Sequence, residues 1–281
     1  TTSGLLIETF TPLKGLTKIV MQYLPGGYQE GMARVVTGNR ALVMAGWDDV
    51  PHLSEAQKQL MLEETPPYLI EARSKGIPSI GAGAIYPIVQ TEFLCDDFAI
   101  PDHWPKAYAL DVGWNRTAAL WGAMDPVAKI LYLYAEYYRG QSEPAIHSSA
   151  IMAKGSWIPG VIDPASSGSG QRDGKKLAEV YGKSSHGLGL DLTFADNDVD
   201  AGIAAVWNGL STGSIKVFRS LQNWCSEHRM YHRDEKGAIV KANDHLMDCT
   251  RYLVLSGMKR AKTGPAKQPN SRPYRALDRS V

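Results

Sequence analysis

The run Lys106-Ala107-Tyr108-Ala109-Leu110-Asp111-Val112-Gly113, followed by Thr117–Met124 and Ile130–Tyr138, decides the fold. Apolar and aromatic residues fill all three segments, Gly113 closes the first, and Asp125-Pro126 supplies turn chemistry between the second and third. Three strands joined this tightly predict an antiparallel meander. Downstream, helix and strand alternate. A helix near Glu143–Ala153 precedes a short apolar strand at Ile158–Ile162. Behind the acidic start Asp196-Asn197-Asp198, the residues Val199, Ile203, Val206, Trp207 and Leu210 recur at helical spacing. A strand at Ser214–Phe218, a helix around Leu221–Met230, a strand pair near Tyr231–Val240 and a last helix over roughly Ala242–Ser256 complete the order. Such an order predicts an α/β fold, a mixed sheet with helices on its faces.

Upstream the texture differs. Leu5-Leu6-Ile7 reads as strand-like, and Ser54-Glu55-Ala56-Gln57 supplies a capping box for a helix that ends by Pro66-Pro67. Gly76, Pro78, Gly81 and Gly83 then break the chain repeatedly, which predicts a boundary there. Three units are expected: residues 1–84, residues 85–258 and a basic tail over residues 259–281. Between Lys259 and Arg279 the tail sets its lysines and arginines against the single acid Asp278, and it carries no apolar face to bury. A solubilising terminus and an arm for phosphates both remain open readings of it.

With 281 residues, 44% hydrophobic and 21% charged, the chain can bury a proper core and lies outside the disordered, collagenous and coiled-coil classes. No apolar run approaches about 18 residues, so no membrane span is expected. The first 15 residues lack the pattern of a secretory signal, and a cytosolic origin is expected. Cys95, Cys225 and Cys249 are odd in number and scattered, which suggests neither a disulfide framework nor a four-cysteine zinc site. A net charge of +1 neither demands nor forbids a polyanionic partner.

Carboxylates stand where strands end. Asp111 closes one apolar strand and Asp163 closes another; a lone carboxylate buried there costs several kcal/mol, so each needs a cation or a proton. On the last helix Asp244 and Asp248 lie four residues apart, about 40° around the axis, with Leu246, Thr250, Leu253 and Val254 on the core-facing side. A helix laid against the sheet by that stripe tilts its Asp248 edge toward the strand ends. Any single Asp at a strand end is more often a turn former or helix cap; it is the joint placement that points to chemistry. Converging carboxylates select hard divalent ions such as Mg²⁺ or Mn²⁺. Two such ions about 3.5–4 Å apart hydrolyse phosphodiesters. On this reading each acid can be replaced without touching the core.

The motifs Ala109-Leu110-Asp111-Val112-Gly113, Val161-Ile162-Asp163-Pro164-Ala165-Ser166 and Asn243-Asp244-His245-Leu246-Met247-Asp248-Cys249-Thr250-Arg251-Tyr252 resemble the nuclease domain of the large terminase subunit of tailed bacteriophages. The likeness runs from about Pro105 to Met258, with Cys249 where that family commonly has Ala. It implies an RNase H-like fold and a metal-dependent endonuclease that cuts concatemeric double-stranded DNA. Asp111, Asp163 and Asp248 are the implied ligands and Asp244 an auxiliary. Leu6-Ile7-Glu8-Thr9-Phe10-Thr11-Pro12-Leu13-Lys14-Gly15 is similar to the end of the terminase ATPase motor, and the stretches around Asp49–Ser54 and Ala72–Pro78 resemble the join between motor and nuclease. The resemblance further implies that the motor of the same polypeptide, a small terminase subunit and a portal or procapsid are partners, in the host-cell cytoplasm. Another RNase H-like nuclease, such as a resolvase or transposase, and a non-catalytic DNA-gripping or capsid-docking module are the rival readings.

No phosphate-binding loop is present. Ser169–Lys176 lacks both the first Gly and the final Ser or Thr of that motif, and reads instead as a loop beside Asp163 offering Arg172, Lys175 and Lys176 to DNA phosphates or simply to solvent. Trp114 and Asn115 follow Asp111 directly and are placed at the cleft as DNA contacts. Trp104, Trp121, Trp157, Trp207 and Trp224 offer faces on which bases could stack, but those inside periodic segments, Trp121 and Trp207 above all, read as core. Cys225, His228 and His232 have zinc-like spacing but no fourth ligand, so they read as surface or core residues.

Overall fold

The computed structural model describes residues 6–13, 18–24, 28, 34–65, 69–78, 84–167, 177–234 and 237–265. In the first part α1 (Lys18–Tyr23) precedes a hairpin of β1 (Arg34–Thr37) and β2 (Arg40–Val43). Val20, Leu24, Tyr28 and Ile77 form a small core against Val35, Leu42 and Met44. Then come α2 (Glu55–Glu63) and α3 (Ile70–Lys75). The capping box forms as the sequence predicts: the Gln57 amide N–H donates to Ser54 Oγ, and the Ser54 N–H to Gln57 Oε1 at 2.9 Å. Gly76, at φ +70°, ends α3 in the left-handed conformation that glycine adopts without penalty. Leu6 and Ile7 form no strand and are 78% and 76% exposed, correcting the strand-like reading; apolar character without a pairing partner makes no sheet.

After the short α4 (Gln90–Phe93), seven strands form one sheet: β3 (Leu94–Cys95), β4 (Lys106–Asp111), β5 (Thr117–Met124), β6 (Leu131–Arg139), β7 (Gly160–Ile162), β8 (Leu192–Phe194) and β9 (Ile215–Phe218). Their spatial order is β3-β9-β6-β5-β4-β7-β8. Only β5 runs antiparallel to its neighbours, so the predicted meander is embedded in a largely parallel sheet. Around it lie α5 (Pro144–Ala153), α6 (Leu177–Tyr181), α7 (Val199–Thr212), α8 (Gln222–Met230) and α9 (His245–Tyr252). The last helix runs on into a π turn, Leu253–Gly257, rather than as uniform α-helix to Ser256. In place of a strand pair near residue 235 there are isolated bridges, Ala84 to His232 and Arg233 to Ile239.

Alternation along the strands sorts the core into two faces. Ala107, Ala109, Ala118 and Val161 face a cluster built with Val206, Leu210, Trp224, Leu246 and Leu253 of the three last helices. Tyr108, Leu110, Ala119, Trp121 and Ile162 face the other way, toward Ile151 and Tyr181. The small alanines of β4 and β5 let α9 lie close to the sheet, where the Cys249 thiol reaches the Ala118 carbonyl. In β6 the register slips between Trp121 and Gly122, so that Trp121 pairs Ala135 and Gly122 pairs Leu133. This bulge inverts parity: Leu131 and Leu133 point to the α7–α9 face, and beyond it Glu136 and Tyr138 point there too. Trp121 is buried as expected, but Trp207 is 48% exposed, because α7 turns Gly202, Val206, Gly209 and Leu210 inward and leaves Trp207 off that face.

Candidate functional site

Parity and register together assemble the acids. Asp111 follows Ala109 on β4 and Asp163 follows Val161 just past β7, so both project from the face that carries α9. The two strands are parallel neighbours with Leu110 paired to Ile162, and the Asp163 N–H donates to the Leu110 carbonyl at 3.1 Å. Asp111 and Asp163 therefore stand at adjacent carboxyl ends of parallel strands, where open α/β sheets bind their ligands. Helix α9 presents Asp248 in its first turn.

Each carboxylate has a partner. His245 Nδ1 lies 2.7 Å from Asp111 Oδ2. The Tyr252 hydroxyl and the Ala165 N–H each donate to Asp163 Oδ1 at 3.1 Å. Arg251, whose side chain is fully buried, donates to Asp248 Oδ1 at 2.5 Å, while the exposed Lys241 ammonium lies 3.5 Å from Asp248 and 3.4 Å from Asp244. Burial pushes the Asp111 carboxyl above its ordinary pKa; the His245 contact opposes that rise, and the charges of Asp248 and Asp163 add to it. The hydrogen bond to Asp111 in turn raises the His245 imidazole. The three acids thus form one electrostatic group around Tyr252, whose phenol is raised by burial and then by Asp248 and Asp163.

Three carboxylates that repel one another offer only hard oxygen donors, which fits a Mg²⁺- or Mn²⁺-type ion by chemistry. Among the described residues no three His, Cys, Asp or Glu side chains already meet at one point. The side chains are instead turned onto His245, Tyr252, Arg251 and Lys241. Asp244 is buried at the N-cap position of α9, where it makes no side-chain cap bond. Trp114, 64% exposed, and Asn115 occupy the β4–β5 turn that follows Asp111; the Gln141 N–H holds that turn through the Trp114 carbonyl at 2.8 Å. Arg172, Lys175 and Lys176 lie outside the described residues, as does the tail beyond Pro265. The expectation that all three acids stand clear of the core fails for Asp248, because Arg251 is interior. Cys225, His228 and His232 do not form a metal group. The ring of His228 is fully buried between Tyr86, Phe93 and Trp224, and the His232 Nδ1 turns to the Met230 carbonyl.

Residues without an assigned part in the sequence reading also belong here. His245 and Arg251 sit within the motif on the last helix. Arg116, two residues after Trp114, stacks over the Tyr138 ring with its guanidinium carbon 4.3 Å from the centroid. Tyr138 and Glu227 carry no local signal at all, since a β-bulge and a helix packing bring them in.

No family model matches the chain. The large terminase subunit of Salmonella phage P22 is 31% identical over 252 residues, covering 88% of this chain and 48% of that protein. The chain thus spans about half the length of the curated relatives it matches. The solved nuclease domain of the P22 large terminase superposes with a TM-score of 0.56 at 27% identity, covering 66% of this chain and 97% of that domain. The large terminase of a thermophilic bacteriophage, solved in complex with ADP, shares the fold at 20% identity and a TM-score of 0.51, over 74% of this chain and 53% of its own. The seven-stranded mixed sheet is that of the RNase H-like nuclease domain, and the chain belongs to the large-subunit terminase family of bacteriophages.

Proposed function

We propose that this chain is a metal-dependent DNA endonuclease that cuts double-stranded DNA by phosphodiester hydrolysis during genome packaging. One observation carries the reading: Asp111 and Asp163 stand at adjacent strand ends on the face that brings α9 and Asp248 alongside. Asp111, Asp163 and Asp248 would hold the metal, with Asp244 as auxiliary. Two hard divalent ions, Mg²⁺ or Mn²⁺, supply activation of a water and stabilisation of the leaving oxygen when bound. The chain's own residues prepare that site. His245 hydrogen-bonds Asp111, Arg251 pairs with Asp248, and Tyr252 orients Asp163. Trp114, Asn115 and Arg116 border Asp111 with an aromatic face and a cation for DNA, and Arg172, Lys175 and Lys176 are proposed phosphate contacts.

In the same reading residues 1–84 are the end of the ATPase motor and its linker, residues 85–258 the nuclease and residues 259–281 a basic tail. The rest of the motor, a small terminase subunit and a portal or procapsid are partners in the host cytoplasm. Among the described residues no helix is long and apolar enough to cross a membrane. The test is nicking of supercoiled plasmid by this chain with Mg²⁺ or Mn²⁺ against EDTA, with Asp163→Asn as control. Cleavage that needs metal and vanishes in the variant supports the reading. Tight DNA binding without cleavage under either metal favours a gripping module instead.

A further inference from the structure

A half-buried glutamate and a fully buried one link the sheet to the site helix in series. Beyond the β6 bulge, Glu136 accepts from the Asn223 and Trp224 N–H groups at 3.0 and 2.9 Å, occupying the first turn of α8. One turn later α8 carries Glu227, which is 1% exposed. Its Oε2 accepts from the Leu246 N–H at 2.5 Å in the first turn of α9, and its Oε1 accepts from the Tyr138 hydroxyl at 2.6 Å. A helix start leaves several N–H groups without intrahelical partners, and normally its own N-cap side chain takes one. Here Asp244 holds the N-cap position and makes no such bond, so a carboxylate from a different helix takes its place. A second tie joins the same helices: Trp224 Nε1 donates to Thr250 Oγ1 at 2.8 Å, with both residues fully buried.

Helix α9 carries His245, which meets Asp111, and Asp248. Its height and rotation against β4 therefore depend on where Glu227 holds Leu246. We propose that Glu227 is a positioning residue of the carboxylate site, fixing the first turn of α9 so that His245 and Asp248 are presented to Asp111 and the DNA-facing turn. Tyr138, whose ring lies under Arg116, is through its hydroxyl the second anchor of the same carboxylate. This inference rests on the endonuclease reading above.

The experiment compares Glu227→Ala, Glu227→Gln and Tyr138→Phe with wild type in the full chain. Plasmid nicking is resolved into kcat and KM below the melting transition, and Mn²⁺ binding to the DNA-free protein is followed by electron paramagnetic resonance. Groups that orient metal ligands typically contribute about 10- to 100-fold. Glu227→Ala is expected to lose kcat by that factor with KM for DNA unchanged, and to bind Mn²⁺ more weakly. Glu227→Gln should restore most of both, because its amide oxygen can accept from Leu246 and its NH₂ can donate to Tyr138. Tyr138→Phe, which keeps the ring under Arg116 and removes one anchor, should fall in between. A folded Glu227→Ala with wild-type kcat overturns the proposal. So does a Gln variant as inactive as Ala, which would place the charge itself in the chemistry. If the Ala variant does not fold, an unchanged kcat in Tyr138→Phe overturns it. If wild type cuts no DNA under either metal, the endonuclease reading fails, and Mn²⁺ affinity alone then tests the positioning role: a folded Glu227→Ala that binds Mn²⁺ as tightly as wild type, or an equally tight Tyr138→Phe where the Ala variant does not fold, rejects it as well.

Discussion

Removing Asp248 should unfold the site as well as silence it, and the two effects can be separated. Arg251 has 0% side-chain exposure and Asp248 14%, and they meet at 2.5 Å. The Arg251 stem packs closely on Gly202 of α7, where an added Cβ would come within 3.1 Å of it, and the whole side chain is buried. Breaking a buried pair by deleting one partner costs about 3–5 kcal/mol, because the survivor is left charged and dehydrated. The exposed Lys241 contact adds little to that. Asp163→Ala removes two hydrogen bonds at 3.1 Å, about 1 kcal/mol each, partly offset by relief of repulsion from Asp111. Asp248→Ala should therefore be less stable than Asp163→Ala by about 2 kcal/mol or more in urea titrations with EDTA, a gap of several degrees in Tm. Adding Arg251→Met to Asp248→Ala should recover most of the lost stability and none of the nicking. Equal stability of the two single variants, or no recovery in the double variant, would refute the claim that Asp248 has a structural duty besides its proposed metal duty.

Melting wild type and Asp163→Asn with EDTA and with Mn²⁺ should give a variant that is close to wild type without metal and that loses most of the metal-induced gain; about 2.7 kcal/mol is available at a hundredfold excess over Kd. A variant much weaker in EDTA yet equally stabilised by Mn²⁺ would make Asp163 a structural cap. For pH, burial holds the His228 imidazole down to about 3 from 6.5. The unfolded chain therefore binds a proton that the native state refuses, and stability present above about pH 6.5 is lost as pH falls toward 3. Between pH 7.5 and 4.5 this amounts to about 2–3 kcal/mol. His228→Leu should flatten the wild-type stability profile by that much in urea titrations at the two pH values, and parallel profiles would contradict it. Arg116→Ala should weaken metal-free DNA binding across sequences and lower the salt slope of log K by about 1; fluorescence anisotropy at several salt concentrations reads this, and an unchanged slope removes Arg116 from the DNA interface.

Much of this protein was legible from local pattern. The apolar run from Ala107 to Leu110, the turn at Asp125-Pro126 and the helical spacing from Val199 to Leu210 specify their elements because such patterns are properties of a few consecutive residues. Asp111 and Asp163 each close such an apolar run, which put them at strand ends, and the observed register makes those strands neighbours. Three-residue strands such as Leu192–Phe194 are too short to carry a period, and they exist only because β7 is there to pair with. The bulge in β6 is a mismatch between two strands, invisible in either alone, and it alone aims Glu136 and Tyr138 at the site helices. Asp111 finds His245 across 134 residues and Glu136 finds Trp224 across 88, so these bonds depend on sheet order and helix packing rather than on neighbours in the chain. Sequence thus determined which residues could carry the chemistry. Which carboxylates face one another, which one is anchored to a buried arginine and which one caps another helix were decided by the packing, since burial and charge pairing are set by distance in space.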